Sequence, residues 1–178
     1  MPTQTTIGPE DLQAAIAQMA EAIAARHPTP SQLLILGIAN GGITLAQRLA
    51  AKLGAHRVGI IDVSFHRDDI GLKPIPKEFT PTIIPGNLQG ATVLLVDDVL
   101  FSGRTVNAAL NELFDHGRPA CVELAVLADR GGRTLPIQAD YVGLHLSAGT
   151  RERVVLALSR EPSAQDSLTI KAANLPAS

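Results

Sequence analysis

The hydrophobic pattern of the chain alternates between continuous apolar runs and amphipathic stretches. Residues 33–38 (LLILGI) and 91–96 (ATVLLV) are unbroken apolar runs, which is typical of strands that are covered on both faces. Residues 10–26 place apolar side chains three or four positions apart, which predicts one amphipathic helix. Strands that alternate with helices favour an α/β fold with a mainly parallel sheet.

The same pattern predicts the remaining elements and two irregular segments. A second helix is predicted to end at a Gly54 cap and a third at a Gly117 cap. Residues 67–88 contain four prolines and no periodicity, which is typical of a long functional or disordered loop. From about residue 162 the chain is polar, and we expect it to be frayed. Further strands are predicted at residues 58–66, 121–128, 140–144 and 154–158.

The composition indicates one folded domain that spans residues 1–178. The chain is 46% hydrophobic and only 18% charged, unlike disordered chains. Its single cysteine, Cys121, excludes an intramolecular disulfide and a cysteine zinc site. It has no apolar window of 18 residues and no signal-peptide pattern, so we expect a cytoplasmic protein without a membrane partner. With a net charge of −2, a nucleic-acid partner would need a local basic patch.

The segment VLLVDDVLFSGRT, residues 93–105, carries the clearest chemical signal. An apolar strand ends at Asp97 and Asp98, which we expect to face solvent, and the turn Ser102-Gly103 leads into a helix. Ligands of open α/β sheets bind beyond the carboxyl ends of the strands, and free N–H groups at a helix start attract anions. Carboxylates accept hydrogen bonds from a vicinal diol. The segment therefore suits a phosphate beside a ribose diol, with a divalent metal nearby.

A purely structural interpretation of these residues is that Asp97 caps a helix and that Ser102-Gly103 is only a turn. A lone capping aspartate is common. Two consecutive acids at the end of an aliphatic strand, followed by a glycine-bearing anion loop, are much less common. We therefore favour the ligand-binding interpretation.

The segment closely resembles the phosphoribosyl-pyrophosphate (PRPP) motif of type I phosphoribosyltransferases. The strings RDD (67–69), GRP (117–119), AVLADRG (125–131) and LPIQADYVG (135–143) are similar to one subfamily. That subfamily is PyrR, the bifunctional pyrimidine-operon attenuator and uracil phosphoribosyltransferase. The resemblance covers residues 8–158. It implies an open, mainly parallel sheet flanked by helices, with a small hood at about residues 128–147 and a flexible lid at about residues 67–88.

The resemblance also implies which residues bind PRPP. Asp97 and Asp98 would hold the ribose hydroxyls, and Arg67 in the lid would lie near the leaving group; these are the three implied catalytic residues. The other implied PRPP contacts are Asn40, Gly41 and Gly42 for the pyrophosphate and Val99, Leu100, Phe101, Ser102, Gly103, Arg104 and Thr105 for the 5′-phosphate. Mg²⁺ would enter with PRPP near Asp97, bound through PRPP oxygens and water rather than directly by the protein.

The implied uracil contacts lie in the hood, at Asp129, Arg130, Tyr141 and Leu146. The pyrophosphate loop departs from the family pattern, because many members carry an arginine there and residues 40–42 supply no cation. Either the PRPP affinity is lower or Arg67 compensates, and the sequence leaves both alternatives open.

The RNA-binding side of the family has a weaker basis in this sequence. Residues 1–25 contain no Lys or Arg, and the candidate RNA contacts are Arg130, Arg133 and Arg151. Three functions stay open: a uracil phosphoribosyltransferase, a regulator that binds pyrimidine-operon leader mRNA in response to UMP or UTP, and a phosphoribosyltransferase for a purine or for orotate. The family also implies a homodimer or a higher homo-oligomer.

Overall fold

The structure, a computed structural model, describes residues 5–64, 81–149 and 151–172. Its elements are β1 (Thr5–Ile7), α1 (Pro9–Arg26), β2 (Leu34–Ile38), α2 (Gly41–Leu53), β3 (Val58–Ile61), β4 (Thr92–Leu100), α3 (Arg104–His116), β5 (Cys121–Asp129), β6 (Tyr141–His145), β7 (Glu152–Ala157) and β8 (Ser167–Ala172). Five strands form a parallel sheet in the order β3-β2-β4-β5-β6. Three others form an antiparallel sheet, here called the small sheet, in the order β1-β8-β7. The predicted α/β class is confirmed.

Helices cover both faces of the parallel sheet, which explains why its central strands are almost entirely apolar. On one face, α1 and α2 bury Leu12, Ile16 and Leu45 against the sheet. On the other face, α3 buries Val106 and Leu113. These two aliphatic layers hold the carboxyl ends of the strands in place. Within the described ranges, no helix combines the length and the apolar character needed to cross a membrane.

Strand β4 is longer than the apolar run at residues 91–96 predicts. It continues through Asp97 and Asp98 because Val99 and Leu100 still pair with β5, and Leu100 is buried. The two acids therefore lie within the strand, and only a short loop remains before α3. Val99 and Leu100 belong to the sheet rather than to a phosphate cradle, which corrects their predicted role. Their aliphatic side chains favour continued strand pairing after the acids.

Strand β3 is shorter than the strand predicted at residues 58–66. A short antiparallel bridge joins it to Ile83, and Leu88 is buried in the core beside α3. The end of the predicted lid is thus packed against the sheet. The rest of the lid, including Arg67, lies outside the described residues.

The two ends of the chain meet in the small sheet, which contradicts the prediction of a frayed tail from about residue 162. β8 lies between β1 and β7, and its Leu168 and Ile170 pack into the core that α1 shares. The alternation in SLTIKA, residues 167–172, is the sequence signal for this strand. A single short alternation does not outweigh the general expectation that chain ends fray.

Part of the range predicted as the hood, residues 128–147, lies in the main sheet. The second half of this range is β6, which pairs in parallel with β5 as the edge of the main sheet. The unit that adjoins the end of β5 is the small sheet, because Gly149 and Glu152, at the start of β7, accept hydrogen bonds from Arg130. Pairing between distant chain ends leaves no local signal in the sequence.

A buried ion pair joins α2 to the loop that precedes β8 of the small sheet. Arg48 of α2 donates from Nη1 to Oδ2 of Asp166 at 2.7 Å, and both side chains are almost completely buried. Asp166 also accepts backbone N–H bonds from Ser159 and Ser163. Burial acts to raise the pKa of Asp166, but these hydrogen bonds and the Arg48 contact outweigh it, and the net effect lowers the pKa.

Candidate active site

Asp97 and Asp98 lie at the carboxyl edge of the parallel sheet, as predicted, but in different surroundings. Asp98 is partly exposed, and its Oδ1 accepts the N–H of Val99 at 2.7 Å. Asp97 is only 5% exposed, and its Oδ1 accepts the N–H of Asp98 at 3.0 Å. The expectation that both carboxylates face solvent is therefore wrong for Asp97, because β4 continues past it and stays paired with β5.

The surroundings of Asp97 change its ionisation. Burial raises the pKa of Asp97 well above its usual range, and the neighbouring charge of Asp98 raises it further. Two adjacent carboxylates do not ionise together easily, so the pair favours a single negative charge. Asp98 is the carboxylate that a ligand reaches, and a bound cation would help Asp97 to ionise.

The loop between β2 and α2 lies directly against Asp98. A Cβ on Gly41 would come within 2.2 Å of the Asp98 Oδ2, and a Cβ on Gly42 within 2.0 Å of the Val96 carbonyl oxygen. Only glycine fits at position 42 without a shift of the backbone, and a side chain at position 41 would displace the Asp98 carboxylate, so the start of α2 approaches the acid pair closely. The peptide bond before Asn40, which is exposed, is cis. The structure thus brings Asn40, Gly41 and Gly42 together with Asp98, as the implied PRPP site requires.

The loop at residues 101–103 joins β4 to α3 and is fixed by hydrogen bonds from the segment after β5. The Ser102 carbonyl accepts two N–H groups from the segment after β5, each at 3.1 Å, and its hydroxyl accepts the N–H of Arg104 at 3.3 Å. Gly103 has a φ of +90°, in the left-handed region that favours glycine. Thr105 is exposed on the first turn of α3. The fixed turn and the helix start form an anion-binding geometry beside the acid pair.

Asp129 ends β5, directly opposite Leu100 in the ladder, and its carboxylate is already engaged. It accepts hydrogen bonds from Nη2 of Arg133 and, at 2.9 Å, from the N–H of Gly131. Burial acts to raise the pKa of Asp129, but the Arg133 and Gly131 hydrogen bonds outweigh it and lower the pKa. Leu146 lies beside it, because the Leu146 N–H donates to the Asp129 carbonyl oxygen at 2.7 Å. Asp129 and Leu146 therefore share the carboxyl edge with the acid pair.

Two of the three arginines predicted to contact RNA are engaged inside the protein. Arg133 donates to Asp129 and to carbonyl oxygens of neighbouring loops. Arg130 is only 9% exposed and donates to the carbonyl oxygens of Gly149 and Glu152. Both guanidinium groups hold loops together, and their contact with RNA stays a prediction. Arg151 is exposed.

Tyr141 begins β6, where it pairs with Ala125 of β5, which in turn pairs with Val96 of β4. Its hydroxyl donates to Oε2 of the buried Glu123 at 2.8 Å, and Glu123 also contacts His27 at 2.8 Å and Arg26 at 3.0 Å. Burial raises the pKa of Tyr141, and the hydrogen bond to Glu123 raises it further. Tyr141 is only 6% exposed and its hydroxyl is engaged by Glu123, so its contact with uracil stays a prediction.

The acid pair supplies oxygen donors of the kind that Mg²⁺ prefers, but not a complete ligand set. Among the described residues, no group of three or more His, Cys, Asp and Glu side chains is arranged to hold a metal ion. Mg²⁺ usually keeps several waters and binds through one or two carboxylates together with substrate phosphates. Asp97 and Asp98 therefore fit a magnesium ion that arrives with a polyphosphate ligand.

Comparisons with known proteins decide the family. The phosphoribosyl transferase domain family matches residues 10–155. Bifunctional protein PyrR of Corynebacterium efficiens is 45% identical over 174 residues, which cover 92% of this chain and 90% of the relative. This chain belongs to the PyrR family of phosphoribosyltransferases. Bifunctional protein PyrR of Ralstonia nicotianae is 50% identical over 122 residues, which cover 68% of this chain and 70% of the relative.

Solved structures agree with the fold of this PyrR-family chain. A hypoxanthine-guanine phosphoribosyltransferase from Bacillus anthracis matches with a TM-score of 0.65 at 21% identity, covering 80% of this chain and 83% of that chain. The hypoxanthine phosphoribosyltransferase of Trypanosoma cruzi matches with a TM-score of 0.65 at 24% identity, covering 83% of this chain and 80% of that chain. At these identities the likeness shows the type I phosphoribosyltransferase fold alone, and it confirms the fold implied by the PRPP motif.

Proposed function

We propose that this PyrR-family protein is a uracil phosphoribosyltransferase, which joins N1 of uracil to the anomeric carbon of PRPP and forms UMP and pyrophosphate. The observation that carries the proposal is the close approach of Asp98 to Gly41. It sets the acid pair between two helix starts, that of α2 near Asn40 and that of α3 near Ser102. PRPP carries its groups in the matching order of pyrophosphate, ribose diol and 5′-phosphate.

The proposed roles require positioning and charge stabilisation rather than a nucleophilic side chain. Asp98 accepts hydrogen bonds from the ribose hydroxyls, the backbone around Gly41 faces the pyrophosphate, and residues 102–105 hold the 5′-phosphate. The bond to pyrophosphate breaks as the bond from N1 of uracil forms, through an oxocarbenium-like state, and the N1 proton passes to pyrophosphate or water. Mg²⁺, bound with PRPP, supplies positive charge to the leaving pyrophosphate. Arg67 stays our candidate for the cation that the pyrophosphate loop lacks.

Base choice is the first testable consequence. We expect kcat/KM for uracil to be at least tenfold higher than for hypoxanthine, adenine or orotate, about 1.4 kcal/mol in transition-state binding. The strings AVLADRG (125–131) and LPIQADYVG (135–143) motivate this choice, because they resemble a subfamily that uses uracil. Initial rates of nucleotide formation from PRPP with each free base measure the ratio. Equal or faster turnover of a purine or of orotate would overturn the choice of uracil.

A second candidate function is regulation by RNA binding, which is favoured by the name of the relatives, bifunctional protein PyrR. The same pocket would then sense UMP or UTP, and a homo-oligomer in the cytoplasm would bind the leader mRNA of a pyrimidine operon. Arg151, Arg153 and Lys171 are exposed on and next to the small sheet and would face such a partner. Since Arg130 and Arg133 are engaged internally, we propose that this basic surface is small.

RNA binding is therefore expected to be weak. We expect a dissociation constant for the pyrimidine-operon leader RNA no tighter than about 1 µM at physiological salt, which is the range of non-specific contacts. Each phosphate contact adds about one unit to the slope of log K against log salt, so a slope of about −3 is expected. Gel-shift titrations at low and at physiological salt measure both quantities. Nanomolar binding at physiological salt that UMP strengthens would make regulation the main role.

A further inference from the structure

Phe101 presents an aromatic ring at the carboxyl edge of the sheet. It follows the buried Leu100 at the end of β4, yet 43% of its surface is exposed. The guanidinium of Arg130 lies over the ring, with its central carbon 4.2 Å from the ring centroid. Gly132 lies against one edge, because a Cβ there would come within 2.5 Å of the ring. The ring is therefore held from one face and one edge, and its other face is uncovered.

Arg130 is built into the fold as the support of this ring. Its Nη1 donates to the carbonyl oxygen of Glu152 and its Nη2 to that of Gly149, each at 3.0 Å. Its backbone N–H donates to the carbonyl oxygen of Leu100 at 3.1 Å. Its buried Nε has no acceptor among the described residues. The hydrogen-bond partners of the guanidinium are neutral carbonyls, so its charge is free to act on the ring. A desolvated cation of this kind strengthens the contact with an aromatic face.

We propose that Phe101 is the stacking platform for the uracil ring and that Arg130 is the positioning residue that fixes the platform from behind. This inference rests on the proposed function and deepens it by naming the surface that binds the base. Phe101 directly precedes the turn at Ser102 that would hold the 5′-phosphate. It also follows Leu100, which pairs with Asp129 at the base end of the site. A base attached to a ribose at the acid pair therefore lies within reach of the open face of the ring.

Stacking on an aromatic ring supplies affinity for a small base such as uracil. Uracil has few polar atoms, and its flat faces are its largest contact surface. An aromatic ring binds the face of any base, so Phe101 supplies affinity and orientation while polar groups near Asp129 supply the choice of base. The charge of Arg130 behind the ring favours an electron-rich partner on the open face. Uracil becomes electron-rich as its N1 gives up its proton, so the platform suits the reacting base.

The test compares three variants with the wild-type protein. Phe101→Leu removes the ring and keeps an apolar side chain, whereas Phe101→Tyr keeps the ring. Phe114→Leu is the matched control, because Phe114 is also exposed and also pairs with an arginine, Arg118, at 5.6 Å, but lies near the far end of α3. The measurements are the KM values for uracil and for PRPP and the proton NMR shifts of H5 and H6 of UMP on binding.

Phe101→Leu is expected to raise the KM for uracil about tenfold, with the KM for PRPP changed less than about twofold. The upfield shift of H5 and H6, which a ring stacked on the base produces, is expected to disappear in this variant. Phe101→Tyr and Phe114→Leu are expected to retain both wild-type properties. If Phe101→Leu does not fold, the upfield shift in the wild-type and Phe101→Tyr proteins decides the question.

Two results would overturn the stacking role while leaving the uracil phosphoribosyltransferase proposal intact. One is an unchanged KM for uracil in Phe101→Leu; the other is UMP bound to the wild-type protein without an upfield shift of H5 and H6. A change of oligomeric state in Phe101→Leu, with the UMP shifts retained, would assign the ring to an interface between copies and would also overturn it. If the wild-type protein makes no UMP but shifts H5 and H6 only when the ring is present, the platform stands and the enzyme function fails.

Discussion

Replacing Asp98 with asparagine is expected to lower kcat/KM for UMP formation about 100-fold. Asp98 is the partly exposed member of the acid pair, and its carboxylate lies against Gly41, where the ribose and the pyrophosphate would meet. A hydrogen bond to a charged group contributes about 1.5–3 kcal/mol, which is a factor of about 10 to 100 for each ribose hydroxyl. Asparagine keeps the size of the side chain and its acceptor for the N–H of Val99. Initial rates over a range of PRPP concentrations measure the loss.

Asp97→Asn is the matched comparison for Asp98→Asn. We expect it to lose less activity than Asp98→Asn and to be more stable than the wild-type protein. Because burial raises the pKa of Asp97, the folded state binds its proton more tightly than the unfolded chain does. Above about pH 4 the unfolded chain gains from ionising this carboxyl, so the stability of the wild-type protein falls as pH rises. Asparagine removes this penalty and still accepts the N–H of Asp98. Melting temperatures should be higher for Asp97→Asn at neutral pH, and the difference should vanish towards about pH 4.

Two outcomes would contradict this account of the acid pair. One is an Asp98→Asn variant with wild-type kcat/KM, because the accessible carboxylate would then have no role with the ribose. The other is a large fall in melting temperature for both variants, with activity per folded molecule retained. That result would show that the acids only stabilise the local fold at the end of β4.

The second large effect is expected in stability, at the buried pair Arg48–Asp166. Arg48→Met leaves the Asp166 carboxylate buried with only the N–H bonds of Ser159 and Ser163. Removing one partner of a buried ion pair costs about 3–5 kcal/mol. Urea denaturation measures the loss in the free energy of unfolding. The double variant Arg48→Met/Asp166→Leu is the control and should recover part of it, because apolar replacements of both partners are often tolerated.

The stability that Arg48→Met loses is expected to depend on pH. The pKa of Asp166 is lowered in the folded state, so its stabilisation is present above the unfolded pKa of about 4 and is lost as pH falls through the folded value. The difference between Arg48→Met and the wild-type protein should therefore shrink in acid. Equal free energies of unfolding at neutral pH would show that this pair does not hold the loop before β8 to α2.

Local patterns in the sequence are sufficient to predict the parallel sheet and to identify the PRPP motif. The run LLILGI predicts β2 because only a strand covered on both faces is so uniformly apolar. The predicted cap at Gly54 is confirmed, with a φ of 62°. The acids Asp97 and Asp98, the turn at Gly103 and the loop at Gly41 all lie within a few residues of a strand end, so their meeting at one edge follows from parallel strand order.

Contacts between distant parts of the chain could not be predicted in this way. The small sheet pairs strands from both chain ends, and Arg48 meets Asp166 across 118 positions. The burial of Asp97 depends on how far β4 stays paired, which the apolar pattern underestimates. Tyr141 and Arg130 belong to motif strings that resemble the family, but a string does not tell which side chains turn into the core. Those directions are set by packing between elements.

The most direct test of the central claim is the rate of UMP formation from uracil and PRPP in the presence of Mg²⁺, measured with the wild-type protein and with Asp98→Asn. The account predicts steady turnover by the wild-type protein, equal amounts of UMP and pyrophosphate, and a loss of about 100-fold in kcat/KM for the variant. A folded wild-type protein that binds UMP but forms none above the uncatalysed background would contradict it, and would leave nucleotide sensing as the function of the site.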